Sequence, residues 1–571
     1  MSLSRVLLSC LLLATISLPV LAGTWTPDPA LGNSDQHQRL YEIARTYCDA
    51  NFDPDANLVG TSSNNPPNKK SHSVRESLSY AYTLLLTGDP ADLVLAQKIL
   101  KRALTTQDTR LDSPTNGVFS WYAEDDWATI KNPDANSAAF DGLTCALICD
   151  LDKQHPSLDA DVRSQVEAAG KLAVAAVMRR DVDPGYTNIA LLSIALGAAG
   201  EKLWAVPGAG AFAEAKLDKV TNMAGDEEFY EYLCPTYMGV DIYGAYAARK
   251  FSFSPAFATK ADALIDHLWK EIAASYHAPT FQLAGPFSRA YGDNMLTYAA
   301  ALKYDLFLAL DGAYPLPNTE TDHDWDKAGL AVIAALPILP RSEFKQPTVP
   351  WREFTATGPD EKHPVRQFSQ YRDGNFILGT VAFQDEWKQK RNLVAYWRND
   401  GPQPGGFSVG YCIDESNETL PASALAGFIH FYSQQVKGVA LVALATNRDV
   451  PLEGGCSLVF DSGAKASDGK DAGSLKIEDG TITAYLYPVT AISGTFVPKA
   501  DANNLRVNRP WTSSDNIGSG TALHVLSYLI IFRPSDQPAP TVSDIALKGD
   551  ESGVSATAKV DGDALSVSFK N

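Results

Sequence analysis

Several familiar signatures are missing from this 571-residue sequence, and each absence removes a class of function. There is no HExxH pair, no GxxxxGK[ST] phosphate loop and no dinucleotide fingerprint, which excludes the usual zinc-hydrolase and nucleotide-binding sites. Cysteine is scarce: seven residues in all, with Cys10 inside the leading apolar segment. The other six form no CxxC pair and no zinc spacing. Cys145 and Cys149 stand one helical turn apart, a spacing that faces both toward a core. One or two disulfides are compatible with an exported chain, and spacing alone does not set their pairing. Positive charge is in deficit, with 48 Lys and Arg against 67 Asp and Glu and a net charge of −19. The basic footprint of a nucleic-acid binder is therefore lacking, and an anionic substrate would need a locally basic cleft. Histidine is limited to nine residues. Beyond residue 22 no apolar run reaches the ~20 residues of a membrane span; Leu330–Leu339 has the length of a core segment.

What is present begins with an export signal. Arg5 precedes the apolar run Val6–Ala22, and Val20-Leu21-Ala22 places small residues at the cleavage positions. That order predicts a cleavable leader over residues 1–22 and a secreted or periplasmic mature chain. Ser9, Thr15, Ser17 and Pro19 interrupt the run, against a membrane anchor. The remaining 549 residues exceed what one core organises, so at least two domains are expected. Over residues 23–345 apolar positions recur at i, i+3 and i+4, as in Val74–Gly88, Val162–Met178 and Phe257–Tyr276. No fixed repeat length appears, and antiparallel helix pairs curling into an incomplete (α/α) toroid fit best. Prolines crowd residues 346–364, the expected linker. Over residues 365–571 the period becomes two, as in Phe376–Phe383, Val439–Thr446 and Leu523–Phe532, which predicts an antiparallel β-sandwich. Helices first and strands afterwards mean two adjoining domains, not a doubly wound sheet.

Two local patterns point to chemistry without the context it needs. Gly406-Phe-Ser408-Val-Gly410 matches GxSxG, but no helix follows the serine as a nucleophile elbow requires. Asp461–Gly473 is rich in Asp and Gly, which makes turns more readily than a calcium site. Asn417-Glu-Thr419 is a lone glycosylation sequon. More informative are the polar, aromatic stretches that join loops to helix starts in the first domain. They are Pro184–Ala190, Glu227–Asp241 and Tyr276–Asn294, with Ser71–Glu76 and Trp121–Trp127 beside them. In a helical toroid such junctions line the central cleft. Ten Trp and 23 Tyr provide rings on which sugars stack, although cores and strands use most of them.

An export signal, a helical toroid of about 300 residues, a Pro-rich link and a β-sandwich together resemble the polysaccharide lyases of the chondroitin AC lyase, alginate lyase and heparinase II/III type. The resemblance implies β-elimination at a uronic acid. A neutraliser must bind the uronate carboxylate, a base must take the C5 proton, and an acid must protonate the leaving oxygen. Carried onto this chain, it implies Asn188 and Arg289 as neutralisers, His277 or Tyr237 as base and Tyr291 as acid. His72, Arg75, Trp121, Trp127, Glu231, Asp293, Asn294 and Arg398 are the expected substrate-binding residues. The closely spaced Asn, His and Tyr order of the best-known members is absent. The partner is a polysaccharide or oligosaccharide. No organic cofactor is implied, and a structural metal ion is compatible with the sequence.

Two other functions fit the same residues. A glycoside hydrolase on a helical toroid would need two carboxylates about 5–10 Å apart, for which Glu231, Asp241, Asp293 and the Glu124-Asp125-Asp126 run are candidates. A non-catalytic glycan-binding protein would use exposed rings of the β region, such as Trp351, Trp387 and Trp397.

Overall fold

The computed structural model describes residues 25–61, 71–291, 296, 301–316, 324–345, 349–358, 365–387, 389–399, 404–412, 429–446, 455–461, 463–471, 473–489, 496–500, 504–510, 516–517, 523–550 and 553–569. The expected leader over residues 1–22, the sequon at Asn417, and Asp293 and Asn294 lie outside them.

Eleven α-helices occur among the described residues: α1 Ser34–Asn51, α2 Val74–Leu85, α3 Pro90–Ala103, α4 Ser137–Gln154, α5 Ala160–Arg180, α6 Thr187–Trp204, α7 Ala209–Ala224, α8 Met238–Lys250, α9 Pro255–Ser275, α10 Ala301–Ala309 and α11 Asp324–Ala334. Their starts follow capping chemistry. Ser73, Asp89 and Ser254 accept backbone N–H bonds from the first turns of α2, α3 and α9, and proline opens α3 and α9. Helices α2, α4, α6, α8 and α10 neighbour one another in turn, while α3, α5, α7 and α9 pack outside them. The inner helices are buried nearly all round, with Thr187–Gly200 buried without interruption. The outer helices bury a stripe, as α5 does with Val162, Val166, Ala169 and Val174. Helices α1 and α11 pack on each other, and α1 also meets α10. Asn33 donates to the carbonyls of Leu308 and Ile338, and both ring nitrogens of His37 face carbonyls of Ala334 and Ile338 at 2.7 and 3.0 Å. The two ends of the helical domain are thereby tied together.

The second half is antiparallel β. One sheet runs in the order Val497–Ala500, Asn504–Pro510, Gly455–Asp461, Gly405–Cys412, Leu393–Trp397, Phe376–Val381, Arg366–Asp373 and Trp351–Ala356. A second runs Lys465–Asp468, Leu475–Asp479, Ile482–Pro488, Leu523–Pro534, Val439–Thr446, His430–Val436 and Phe383–Asp385. Their facing sides share a core of Phe376, Trp397, Phe407 and Phe532. The outer face of the second sheet is covered by a three-stranded sheet, Val542–Asp550, Gly553–Val560 and Asp563–Phe569, through Leu441, Leu529, Ala556 and Val567. The chain is thus a helical toroid followed by a β-sandwich, with a third layer that sequence periodicity does not distinguish from the other two.

Two local expectations need correction. Trp351–Ala356, placed in the Pro-rich linker, is the edge strand of the first sheet, because the prolines flank it and leave its ladder bonds intact. Trp397 is not an exposed ring but is 1 % exposed in the sandwich core. Cys48, Cys145, Cys149 and Cys234 are buried and form no disulfide with one another. Ser408 sits buried in mid-strand between two neighbours, which excludes a nucleophile elbow. Asp461 accepts the N–H groups of Gly463 and Gly406, so its loop is a turn.

The two domains interlock. Arg352 reaches Glu228 at 2.8 Å and Ser275 at 2.9 Å, and Gln370 donates to the carbonyls of Ala284 and Gly285. A Cβ at Gly379 would overlap the Gly285 carbonyl, so the close approach of the first sheet requires glycine there. Phe287 and Arg391 exchange backbone bonds of 2.9 and 3.0 Å, and Ala290 donates to Gln389 at 2.7 Å. Segment 287–291 therefore runs beside segment 389–391. Nearby, Glu386 is buried, and burial pushes its carboxyl up to about 7 against the bond from Asn392 and the charges of Lys390 and Arg391. A raised folded value stabilises at low pH and is lost as pH rises through about 7. Glu386→Gln is expected to melt like the wild type at about pH 5 and to be more stable at about pH 8, by on the order of 3 kcal/mol. Thermal melts at the two pH values check this.

Candidate active site

Four chain segments converge at the mouth of the toroid. The start of α6 supplies Tyr186 and Asn188, the loop before α8 supplies Glu231 and Tyr237, segment 287–291 supplies Arg289 and Tyr291, and the first turn of α2 supplies Arg75. Inner helix starts bring their loops to one end of the barrel, which is why residues over two hundred positions apart meet.

Glu231 organises the group. One carboxylate oxygen accepts from Asn188 Nδ2 at 2.7 Å and from its backbone N–H at 3.2 Å. The other accepts from Arg289 Nη1 at 3.0 Å. Arg289 also donates through Nη2 to the Tyr237 hydroxyl at 3.3 Å and through Nε to Gln389 at 3.0 Å. Its guanidinium carbon lies 4.3 Å from the Tyr237 ring centre, a cation–π contact. The Tyr237 and Tyr291 hydroxyls are in direct hydrogen-bond contact. Burial raises Tyr237 above the ordinary tyrosine range, with the Arg289 charge opposing that rise. Burial also works against the Arg289 charge, but Glu231 and Tyr237 outweigh it and hold the guanidinium cationic. Asn188 is fully buried, and its Oδ1 has no hydrogen-bond partner among the described residues.

A cavity of about 560 Å³ opens in front of this group, lined by Arg75, Trp121, Tyr186, Asn188, Tyr237, Arg289 and Tyr291 among others. Its volume lies within the range of about 300–1,000 Å³ typical of ligand sites. Trp121 is 50 % exposed and presents a ring at the rim. Arg75 packs 3.8 Å over Phe140 and 5.7 Å from Trp121. Its carboxylate neighbours Asp141 and Asp134 are at 3.8 and 4.0 Å, too far for good hydrogen bonds. Arg75 therefore keeps donors for an anion. A second cavity, of about 610 Å³, lies on the other side of Arg289 and shares Tyr186 and Arg289 with the first.

Other expected residues fall elsewhere. His277 is buried, bonds Thr280 through Nδ1 at 2.9 Å and lines neither cavity; burial and the Arg372 charge push it down to about 4. The structure does not bring it to the tyrosine pair, because the short strand Tyr276–His277, paired with Gln282–Leu283, turns it toward Arg372 of the β domain. His72 is held between Glu124 at 2.5 Å and Asp53 at 3.4 Å, outside both cavities. Trp127 anchors its own loop by donating to the Thr106 carbonyl. Arg398 is bonded through its backbone to Asn375 and Thr481 in the sandwich, away from the cleft residues. Of the alternative carboxylates, Glu124 is bound to His72, Asp125 and Asp126 hold turn N–H groups, and Asp241 is buried in α8. Sequence reasoning missed Asn136, Gln389 and Lys390. Asn136 donates to the Tyr186 hydroxyl at 3.1 Å and lines the first cavity. Gln389 and Lys390 reach the site only through the pairing of segments 287–291 and 389–391, which has no local signal. Among the described residues no cluster of three or more metal-ligating side chains occurs.

Several solved structures resemble the chain over most of its length. Heparinase III is 10 % identical, with 96 % of this chain and 93 % of that chain covered and a TM-score of 0.49. A heparan sulfate lyase from Pedobacter heparinus is 8 % identical, with 95 % of each chain covered and a TM-score of 0.34. A chondroitin lyase that is a baculovirus envelope protein is 7 % identical, with 94 % and 90 % covered and a TM-score of 0.32. No curated protein matches the sequence. A family model matches residues 38–337, more than half of the sequence, and the chain belongs to that family, described as Domain of unknown function (DUF8769).

Proposed function

We propose that this protein is an exported polysaccharide lyase that cleaves a uronic-acid-containing glycan by β-elimination. The observation that carries the reading is the hydroxyl contact between Tyr237 and Tyr291 beside Arg289 and Asn188, at the wall of a cavity with aromatic sides. Elimination needs two proton-transfer groups close together and a neutraliser next to them, and the group has that composition. Arg289 spends three of its five N–H donors on Gln389, Glu231 and Tyr237, and Asn188 spends one of its two amide hydrogens on Glu231. The remaining donors bind the uronate carboxylate. They gain most when the C5 proton leaves, because the electron pair then spreads onto the carboxylate oxygens.

Tyr237 takes the C5 proton, its phenolate held by the adjacent guanidinium. The C4–O bond breaks, a C4–C5 double bond forms, and Tyr291 gives its proton to the leaving oxygen. The contact between the two hydroxyls lets a proton return from Tyr237 to Tyr291. Glu231 is a positioning residue, since both its oxygens are used as acceptors. That occupancy supports elimination over glycoside hydrolysis, which needs a carboxyl free to give a proton and a second to receive one. Arg75 and Trp121 bind the neighbouring sugar. Export rests on the charged, apolar and small-residue order of residues 1–22. A screen of alginate, heparosan and chondroitin, followed by the ultraviolet absorbance of an unsaturated uronate, tests the proposal. Absorbance growing on one polymer supports it; new reducing ends without absorbance would replace it by hydrolysis.

A further inference from the structure

We infer that the second cavity, at the junction of the two domains, is a sugar subsite that stacks the next ring of the glycan on Trp387 and binds its acidic substituent through Lys390. The inference rests on the lyase reading of the adjoining cavity. The second cavity, of about 610 Å³, is lined by Tyr186, Tyr230 and Ser288 from the helical domain and by Gln384, Trp387 and Lys390 from the β domain. Arg289 forms part of both cavity walls and lies 5.6 Å from the Trp387 ring centre and 5.9 Å from that of Tyr186. A polymer whose carboxylate sits on Arg289 therefore continues into this space between two aromatic rings. Such rings are the platforms sugars stack on.

Lys390 supplies the charge. Its ammonium donates to the Gln384 side-chain oxygen at 2.9 Å and to the Asp385 carbonyl at 3.0 Å, both uncharged acceptors. Three hydrogens are available, so one is left for a ligand. Among the described residues no carboxylate is within ion-pair distance of it. The Asp385 carboxylate faces His430 and Arg366 instead. Burial pushes Lys390 down to about 8, with the Arg366 charge adding to the fall and the Asp385 and Glu386 charges opposing it. The acids of the cavity are already engaged: Asp183 holds the Gly185 N–H, and Glu231 holds Arg289 and Asn188. An anionic substituent, carboxylate or sulfate ester, is the ligand that completes Lys390.

Calorimetric titration of the Tyr237→Phe protein tests this, with acidic tetrasaccharides of alginate, heparosan, chondroitin and chondroitin sulfate, and with carboxyl-reduced forms of the unsulfated three. Adding Lys390→Gln is expected to weaken binding of the acidic tetramer about tenfold and of the reduced one less than about twofold. Lys390→Arg should restore most of the loss, and Trp387→Ala should weaken both ligands about tenfold. A larger Lys390→Gln effect on the sulfated than on the unsulfated tetramer assigns the position to a sulfate; an effect on the unsulfated tetramers alone assigns it to a carboxylate. Acidic tetramers that bind Lys390→Gln and Trp387→Ala normally, yet are lost on Arg289→Ala, would overturn the subsite and leave the lyase reading standing. Failure of every acidic tetramer to bind the Tyr237→Phe protein itself would overturn both.

Discussion

Replacing Tyr237 by phenylalanine is expected to lower kcat by about two to four orders of magnitude while oligosaccharide affinity stays within about threefold. The substitution removes one oxygen and keeps the ring on which Arg289 packs. Tyr291→Phe should give a comparable loss, because the leaving oxygen then lacks its donor. Since burial raises Tyr237 and a base must be deprotonated to act, wild-type kcat/KM should climb as pH rises above neutrality. His277→Ala is the contrasting case. Its imidazole is buried against Thr280 and lines neither cavity, so that variant should melt earlier and keep its kcat. Steady-state kinetics of the three variants decide the matter. A Tyr237→Phe enzyme within tenfold of wild type, with His277→Ala inactive but folded, would move the base to His277.

The second large effect concerns Arg289 and Glu231. Arg289→Met should reduce kcat/KM by at least about 10²–10³, the loss seen when a stabiliser of developing negative charge is removed. It should also destabilise the fold by about 3–5 kcal/mol, because Glu231 is left as an uncompensated, mostly buried charge. Arg289→Lys should rescue little, since one ammonium cannot reach Glu231, Tyr237 and Gln389 in the fork geometry that the guanidinium spans. The double variant Arg289→Met with Glu231→Met should recover much of the stability and none of the activity. Melting curves and kinetics on the same four proteins separate the two roles. Recovery of activity in the double variant would show that the pair is structural only.

The helical domain was legible because apolar spacing, capping residues and prolines are local signals, as at Ser73-Val74 and Ser254-Pro255. The sandwich was legible from alternation, but its third layer was not, since Val542–Phe569 alternates like the strands it covers. Asn188, Glu231, Tyr237, Arg289 and Tyr291 stood out as polar groups at loop-to-helix junctions, and the structure brings these five together. The same criterion misplaced His277, because a loop histidine can turn either way and here its short strand points it at Thr280 and Arg372. Trp387 and Lys390 were beyond local reading as parts of this site. Their place depends on backbone pairing between Phe287 and Arg391, which are 104 positions apart in the chain.

Running the reaction in heavy-oxygen water, with mass spectrometry of the products, tests the central claim most directly. Elimination breaks a C–O bond without adding water, so each cleavage should give one fragment lacking the elements of water and no heavy oxygen in either. Heavy oxygen at the new reducing end of each product, with no unsaturated fragment, would contradict elimination and make the tyrosine pair a binding feature of a hydrolase.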